Sequence, residues 1–110
     1  MHRKQKWYFN EKLVRKYFEN KWFKFLDSNF TIRWGEIDLI FEKDGIIHFV
    51  EVKSSDVIDD FQDYITKSKI KTLQKTAQTW IFRKSLDLEY QFDLVIVKNW
   101  EIEMIENFLF

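Results

Sequence analysis

The stretch WGEIDLIFEKDGIIHFVEVK, residues 34–53, decides the fold. Two runs rich in β-branched and aromatic residues flank Asp44-Gly45, the strongest short hairpin signal in the chain. A two-residue turn there sets Lys43 opposite Ile46, Phe41 opposite His48, Ile40 opposite Phe49, Asp38 opposite Glu51 and Glu36 opposite Lys53. A four-residue loop keeps this register, and a bulged three-residue loop shifts it by one. Side chains alternate between the faces of a strand. Glu36, Asp38, Glu51 and Lys53 therefore share one face, at the end of the hairpin away from the turn. Ile37, Leu39, Phe41, Val50 and Val52 share the other.

Carboxylates directly opposed across two strands repel each other. At about 5 Å and an effective dielectric near 20, Coulomb's law gives about 3 kcal/mol for one such pair. A divalent cation would offset that cost. Mg²⁺ takes one or two carboxylates and leaves its other positions to water and phosphate oxygens. Lys53, two residues from Glu51 on the same face, can hold a water or a phosphate oxygen. Asp38, Glu51 and Lys53 are thus a set of parts for metal-assisted phosphodiester hydrolysis with Mg²⁺ or Mn²⁺. A second reading stands beside it: a solvated carboxylate pair, neutralised by Lys53 and Arg33 in a surface ion network.

The surrounding sequence supplies an α/β frame. Asn10 can cap a helix over residues 10–19, in which Leu13, Val14, Tyr17 and Phe18 form an apolar stripe, with Asn20 as a left-handed stop. WFKFL, residues 22–26, reads as a first strand, and FTIRW, residues 30–34, leads into GEIDLIF. The polar, acidic run at residues 54–65 reads as a loop. Ile70, Leu73, Ala77, Trp80 and Ile81 then lie on one face of a helix capped by Thr66 or Ser68 and running to about Lys84. YQFDLVIV, residues 90–97, is apolar enough to be a strand buried on both faces. Residues 101–110 give a short strand and a closing turn or helix. The expected order is α-β-β-β-α-β-(β/α) in one domain, residues 1–110.

Composition narrows the function classes. A chain of 110 residues can build one modest core. It contains no cysteine, which excludes disulfides, thiolate metal sites and cysteine nucleophiles. No apolar run reaches membrane-spanning length and no signal-type segment follows the first residues, so a cytoplasmic protein with no membrane partner is expected. Net charge is zero, which gives no global attraction to nucleic acid. The charge is nonetheless blocked: residues 1–34 hold nine Lys/Arg against three Asp/Glu, residues 35–65 two against nine, residues 66–86 six against none, and residues 87–110 one against six. Basic surfaces around an acidic centre fit this pattern, as do ordinary solvated helix faces.

GEIDLI followed at the right interval by FVEVK resembles the small bacterial YraN-like family of inferred endonucleases. That family is similar to archaeal Holliday-junction resolvases, and both belong to the PD-(D/E)xK nuclease superfamily. The resemblance covers nearly the whole chain, from NEKLVRKYFE through ITKSKIKTLQKTAQTWI to QFDLVIV and IEMIENFL. It implies a restriction-endonuclease-like core, a mixed central β-sheet flanked by helices. It further implies Asp38 as metal ligand, Glu51 and Lys53 as the (D/E)xK pair, and Glu11 as an accessory carboxylate brought in by the first helix. The family asparagine corresponds to Asn29. The Ser68-Lys69 pair matches the family's, and Lys69 would contact phosphate. Two departures, Ser55 and Gln91 where the family carries arginine, remove positive charge without touching the metal ligands.

The remaining residues carry plainer expectations. Glu36 is expected to pair with Lys53. Glu11 near a helix cap also suits the helix dipole. His48 reads as a tolerated polar residue near the turn, Asp93 as structural, and His2 as a mobile terminal residue. Lys67, Lys69, Lys71 and Lys75 read either as solvent-facing charge or, with Ser68, as contacts to DNA phosphates. Trp22, Trp80 and Phe92 are expected in the core, and so is Trp34, with base stacking as its alternative. The function expected is a Mg²⁺- or Mn²⁺-dependent endonuclease acting on DNA, branched DNA included, and a homodimer would suit paired-strand cutting. The alternatives are a nucleic-acid-binding accessory protein without turnover and a protein-interaction domain.

Overall fold

The computed structural model describes residues 3–54 and 66–109, with side chains from residue 8 onward. The expectations for residues 55–65 and for His2 lie outside the described residues. The elements are α1 (Arg3–Glu19), β1 (Lys24–Ile32), β2 (Gly35–Lys43), β3 (Ile46–Ser54), α2 (Lys67–Lys84), β4 (Glu89–Lys98) and β5 (Glu101–Ile105). The strands form one sheet in the order β1-β2-β3-β4-β5. Only β3 and β4 run parallel, and α2 is the crossover between them. This mixed sheet with two helices has the expected α/β architecture and is consistent with a nuclease-like core.

The β2–β3 hairpin has the expected register. Lys43 faces Ile46, Phe41 faces His48, Ile40 faces Phe49 and Leu39 faces Val50. Asp44 and Gly45 both have positive φ, 52° and 79°, as a type I′ turn requires. The two sheet faces then sort the core. Ile40, Ile47, Phe49, Phe92 and Leu94 pack with Leu73, Ala77 and Trp80 of α2. Leu39, Phe41, Val50 and Val95 pack with Val14 and Phe18 of α1.

Both helices end by the same device. Trp22 (φ 69°) and Ser85 (φ 53°) are left-handed. The next N–H of each turns back, Phe23 to the Phe18 carbonyl and Leu86 to the Ile81 carbonyl, which is a Schellman ending. The left-handed residue after α1 is thus Trp22, not Asn20. Its side chain is 88% exposed, outside the core expected for it. With only two glycines in the chain, other residues adopt this conformation. At its start α2 is capped as expected, with the Thr66 hydroxyl accepting from the Lys69 N–H at 3.0 Å.

Two further departures concern β1 and β2. Residues 30–32, expected to lead into the GEIDLIF strand, belong instead to the first strand, which runs for nine residues, Lys24–Ile32. A bulge between Phe25 and Asp27 and a left-handed Asn29 (φ 53°) absorb the irregularity without ending it. In β2, Ile37 does not share a face with Leu39 and Phe41. It packs in the α2-side cluster, while they pack in the α1-side cluster. Gly35 is also on the α2 side: a Cβ there would lie 2.4 Å from Thr76 Oγ1 and 2.7 Å from Thr72 Cγ2. The sidedness of β2 therefore switches at Asp38, which the register sets opposite Asn29.

Candidate metal centre

The switch at Asp38 coincides with the end of the β2–β3 ladder. Paired residues run from Lys43↔Ile46 to Leu39↔Val50. In an antiparallel hairpin with this turn, every second pair exchanges hydrogen bonds, so the next exchange would be Ile37 with Val52. Instead the Val52 N–H donates to Asp38 Oδ2 at 2.8 Å. A side-chain carboxylate replaces a backbone carbonyl as acceptor. This fixes the Asp38 carboxylate at the mouth where the two strands part.

Lys53 and Lys69 act on this carboxylate, and Glu51 precedes Val52 in β3. Glu51, one register step beyond Val50, is 4% exposed. Lys53 is half-buried on the same strand. Burial raises the Asp38 carboxyl above its ordinary value. The Val52 N–H and the Lys53 ammonium pull it back, the Glu36 carboxylate pushes it further up, and the Lys69 ammonium lowers it. The order of these influences has a physical meaning: a carboxylate is held where its charge is poorly solvated, and two cations from different elements act on it. Lys69 belongs to the first turn of α2, beside exposed Lys67 and Ser68.

Glu11 is partly buried on α1, and Asn29 Nδ2 donates to its Oε1 at 3.5 Å. It thus contacts the residue opposite Asp38 in the β1–β2 register. Among the described residues, no three carboxylate or imidazole side chains converge at metal-binding spacing. A site built on two carboxylates, as Asp38 and Glu51 would supply, suits Mg²⁺, which completes its shell with water and substrate phosphate, and not a closed protein cage.

Two features were hidden from sequence reasoning. His48 and Asp93 sit in adjacent parallel strands, with Nδ1 2.6 Å from Oδ2 and both residues buried. Each looked like an isolated polar residue, and only the parallel register joins them. Trp34, expected in the core, is 57% exposed in the turn between β1 and β2.

The sequence matches the model of "Uncharacterised protein family UPF0102" over residues 10–97. The chain belongs to the UPF0102 family. Similar UPF0102 proteins include one from Helicobacter hepaticus, 44% identical over 85 residues, or 77% of this chain and 76% of that one. Another, from Campylobacter fetus, is 34% identical over 100 residues, 91% and 89% of the two chains. A third, from Nitratiruptor, is 39% identical over 97 residues, 88% and 86% of the two. The UPF0102 match spans Glu11, Asp38, Glu51, Lys53 and Lys69, every residue of the candidate centre. Among the described residues, no helix is long and apolar enough to cross a membrane.

Proposed function

We propose that this UPF0102 protein is a Mg²⁺- or Mn²⁺-dependent endonuclease that hydrolyses phosphodiester bonds in DNA, branched DNA included. One observation carries the reading. Asp38 caps the end of the β2–β3 ladder through the N–H of Val52, the residue that follows Glu51 in β3, and lies under the influence of Lys53 and Lys69. Asp38 and Glu51 would hold the cation, with Glu11 as an accessory carboxylate. Bound there, the cation would polarise the scissile phosphate and lower the pKa of a water.

The chain's own groups supply the rest. The Val52 N–H fixes the orientation of the Asp38 carboxylate, so little reorganisation is needed on binding. Lys53 positions the attacking water and neutralises charge that builds on the phosphate oxygens. Lys67, Ser68 and Lys69 lie on the first turn of α2, where the helix dipole favours phosphate. Cutting both strands of a branched duplex would suit a homodimer.

A second reading rests on the two-carboxylate set. Without a third converging ligand among the described residues, the domain would bind nucleic acid without turnover. One experiment separates the two. Purified protein is incubated with plasmid and four-way-junction DNA in Mg²⁺ or Mn²⁺, alongside Asp38→Ala and Glu51→Ala. The expected result is cleavage by the wild type and a loss in each variant exceeding the roughly 10–100-fold that removal of an outer-shell partner costs. Cleavage by the variants at the wild-type rate would overturn the nuclease reading. DNA binding without calorimetric Mg²⁺ or Mn²⁺ affinity would favour the accessory protein.

A further inference from the structure

The turn between β1 and β2 presents a large apolar ring to solvent with two cations near it. Trp34 is 57% exposed. The Arg33 guanidinium lies 4.6 Å from its ring centroid, and the Lys75 ammonium, from α2, lies 5.5 Å from it. The ring is therefore oriented by cation–π contacts from two separate elements. Its backbone is equally constrained. Gly35, the next residue, is pressed so closely against Thr72 and Thr76 of α2 that a Cβ would collide with them. Among the described residues, no other exposed aromatic combines a seat against α2 with paired cations. Trp100, for example, packs edge-on against Phe9 at 4.7 Å.

We propose that Trp34 is a stacking platform for an unpaired base, and that the substrate of this site carries a single-stranded segment next to the cleaved bond. This inference rests on the nuclease reading and names its substrate class. A base stacks on an indole in any sequence, because every base has a π-face. Arg33 and Lys75 would take the phosphates on either side of the stacked base, the sequence-independent part of affinity. A fully paired duplex cannot use the platform, since its bases already stack on each other and extruding one costs free energy. The geometry also gives a reach. Asp38 lies four residues after Trp34, about 13 Å of extended strand, or about four stacked nucleotides at their spacing along one strand. The same helix serves both ends: Lys69 acts on Asp38, while Thr72 and Thr76 seat Gly35 and Lys75 lies over the indole. The ligand path thus runs along the β2–α2 seam from the carboxylates to the indole.

The test measures fluorescence anisotropy of labelled oligonucleotides in EDTA, so that no cleavage occurs. The ligands are a single strand, a blunt duplex of the same sequence and a duplex with an overhang. The proteins are the wild type, Trp34→Ala and Trp34→Phe, each checked for folding by circular dichroism. The expected result is a preference for single strand over duplex that falls about 5- to 150-fold in Trp34→Ala and is largely kept in Trp34→Phe, which still stacks. An unchanged preference in Trp34→Ala overturns the platform. So does an equal loss on all three ligands, which marks a general surface contact, or intact nucleic-acid binding in every variant, which leaves Trp34 to a protein partner. Metal-dependent cleavage by the wild type separates the two levels. Cleavage with no Trp34 effect overturns this inference and leaves the nuclease reading intact. A Trp34-dependent preference without cleavage overturns the nuclease and keeps the platform. Failure to bind any nucleic acid overturns both.

Discussion

Asp38 and Asp93 are both carboxylates set into strands of the same sheet, and they are treated in opposite ways. Asp93 is fully buried and surrounded by donors. Gln91 Nε2 donates to Oδ1 at 2.8 Å, the Asn107 N–H donates to the same oxygen at 3.0 Å, and His48 Nδ1 lies 2.6 Å from Oδ2. The network ties β3, β4 and the segment after β5 together. Asp38 accepts one backbone N–H among the described residues, and its carboxyl is pushed up by burial with another carboxylate, Glu36, nearby. A saturated buried carboxylate is a structural part. An undersupplied one at a strand end, beside a second carboxylate and two lysines, has capacity left for a ligand.

Three changes break or sharpen this contrast. The largest effect belongs to Asp93→Ala, which leaves three groups without their acceptor. Chemical denaturation should show a loss of about 3–5 kcal/mol, with Asp93→Asn losing less. Metal affinity of the folded fraction, read by calorimetry, should not change. If Asp93→Ala cost nothing, the distinction between the two aspartates would fail.

Gly35→Ala comes next. A Cβ there meets Thr76 Oγ1 and Thr72 Cγ2, and overpacking of this kind costs about 1–3 kcal/mol. Because α2 carries Lys69, the same variant should also weaken metal-dependent DNA binding. Adding Thr72→Ser and Thr76→Ala should recover part of both. A denaturation midpoint equal to wild type would show that α2 is not seated on β2 as described.

Asp38→Asn should give the smallest effect and one of opposite sign. The folded carboxyl titrates above its ordinary value of 3.8, so the folded chain holds that proton more tightly than the unfolded chain does. Stability from this group is full below the unfolded value and is lost as pH rises through the folded one. Asparagine keeps an acceptor for the Val52 N–H but carries no charge. Thermal melts should match wild type at acid pH and run a few degrees higher at neutral pH. Mg²⁺ should close that gap by stabilising only the wild type. A variant less stable than wild type at pH 7 would mean that the Asp38 charge is already well compensated.

The hairpin was legible because its signals are local. Asp44-Gly45 sets the register, and alternation does the rest. The helical stripe from Ile70 to Ile81 and the cap at Thr66 were legible for the same reason. The pairing of His48 with Asp93 was not, because it depends on a crossover that no short window contains. The switch of sides at Asp38 was also hidden. It follows from the left-handed Asn29 across the strand and from a carboxylate taking a backbone donor, and both break the alternation on which the reading relied. Trp22 and Trp34 were misjudged because hydrophobicity argues for burial, whereas a left-handed helix ending and a cation-flanked turn hold these rings outward. Glu11 entered through family resemblance alone. Its contact with Asn29 brings it to the neighbouring strand and not into a three-ligand cluster.

The parallel pairing of β3 with β4 has a consequence for the order of assembly. Asp38 meets Val52 across 14 residues, whereas His48 meets Asp93 across 45. Closing the shorter loop costs less chain entropy, and contacts of low sequence separation form sooner. The carboxylate mouth would then take shape with the early meander, and the imidazole–carboxylate bond would act as a late latch. Loss of the latch should quicken unfolding in stopped-flow traces and leave the refolding rate nearly untouched.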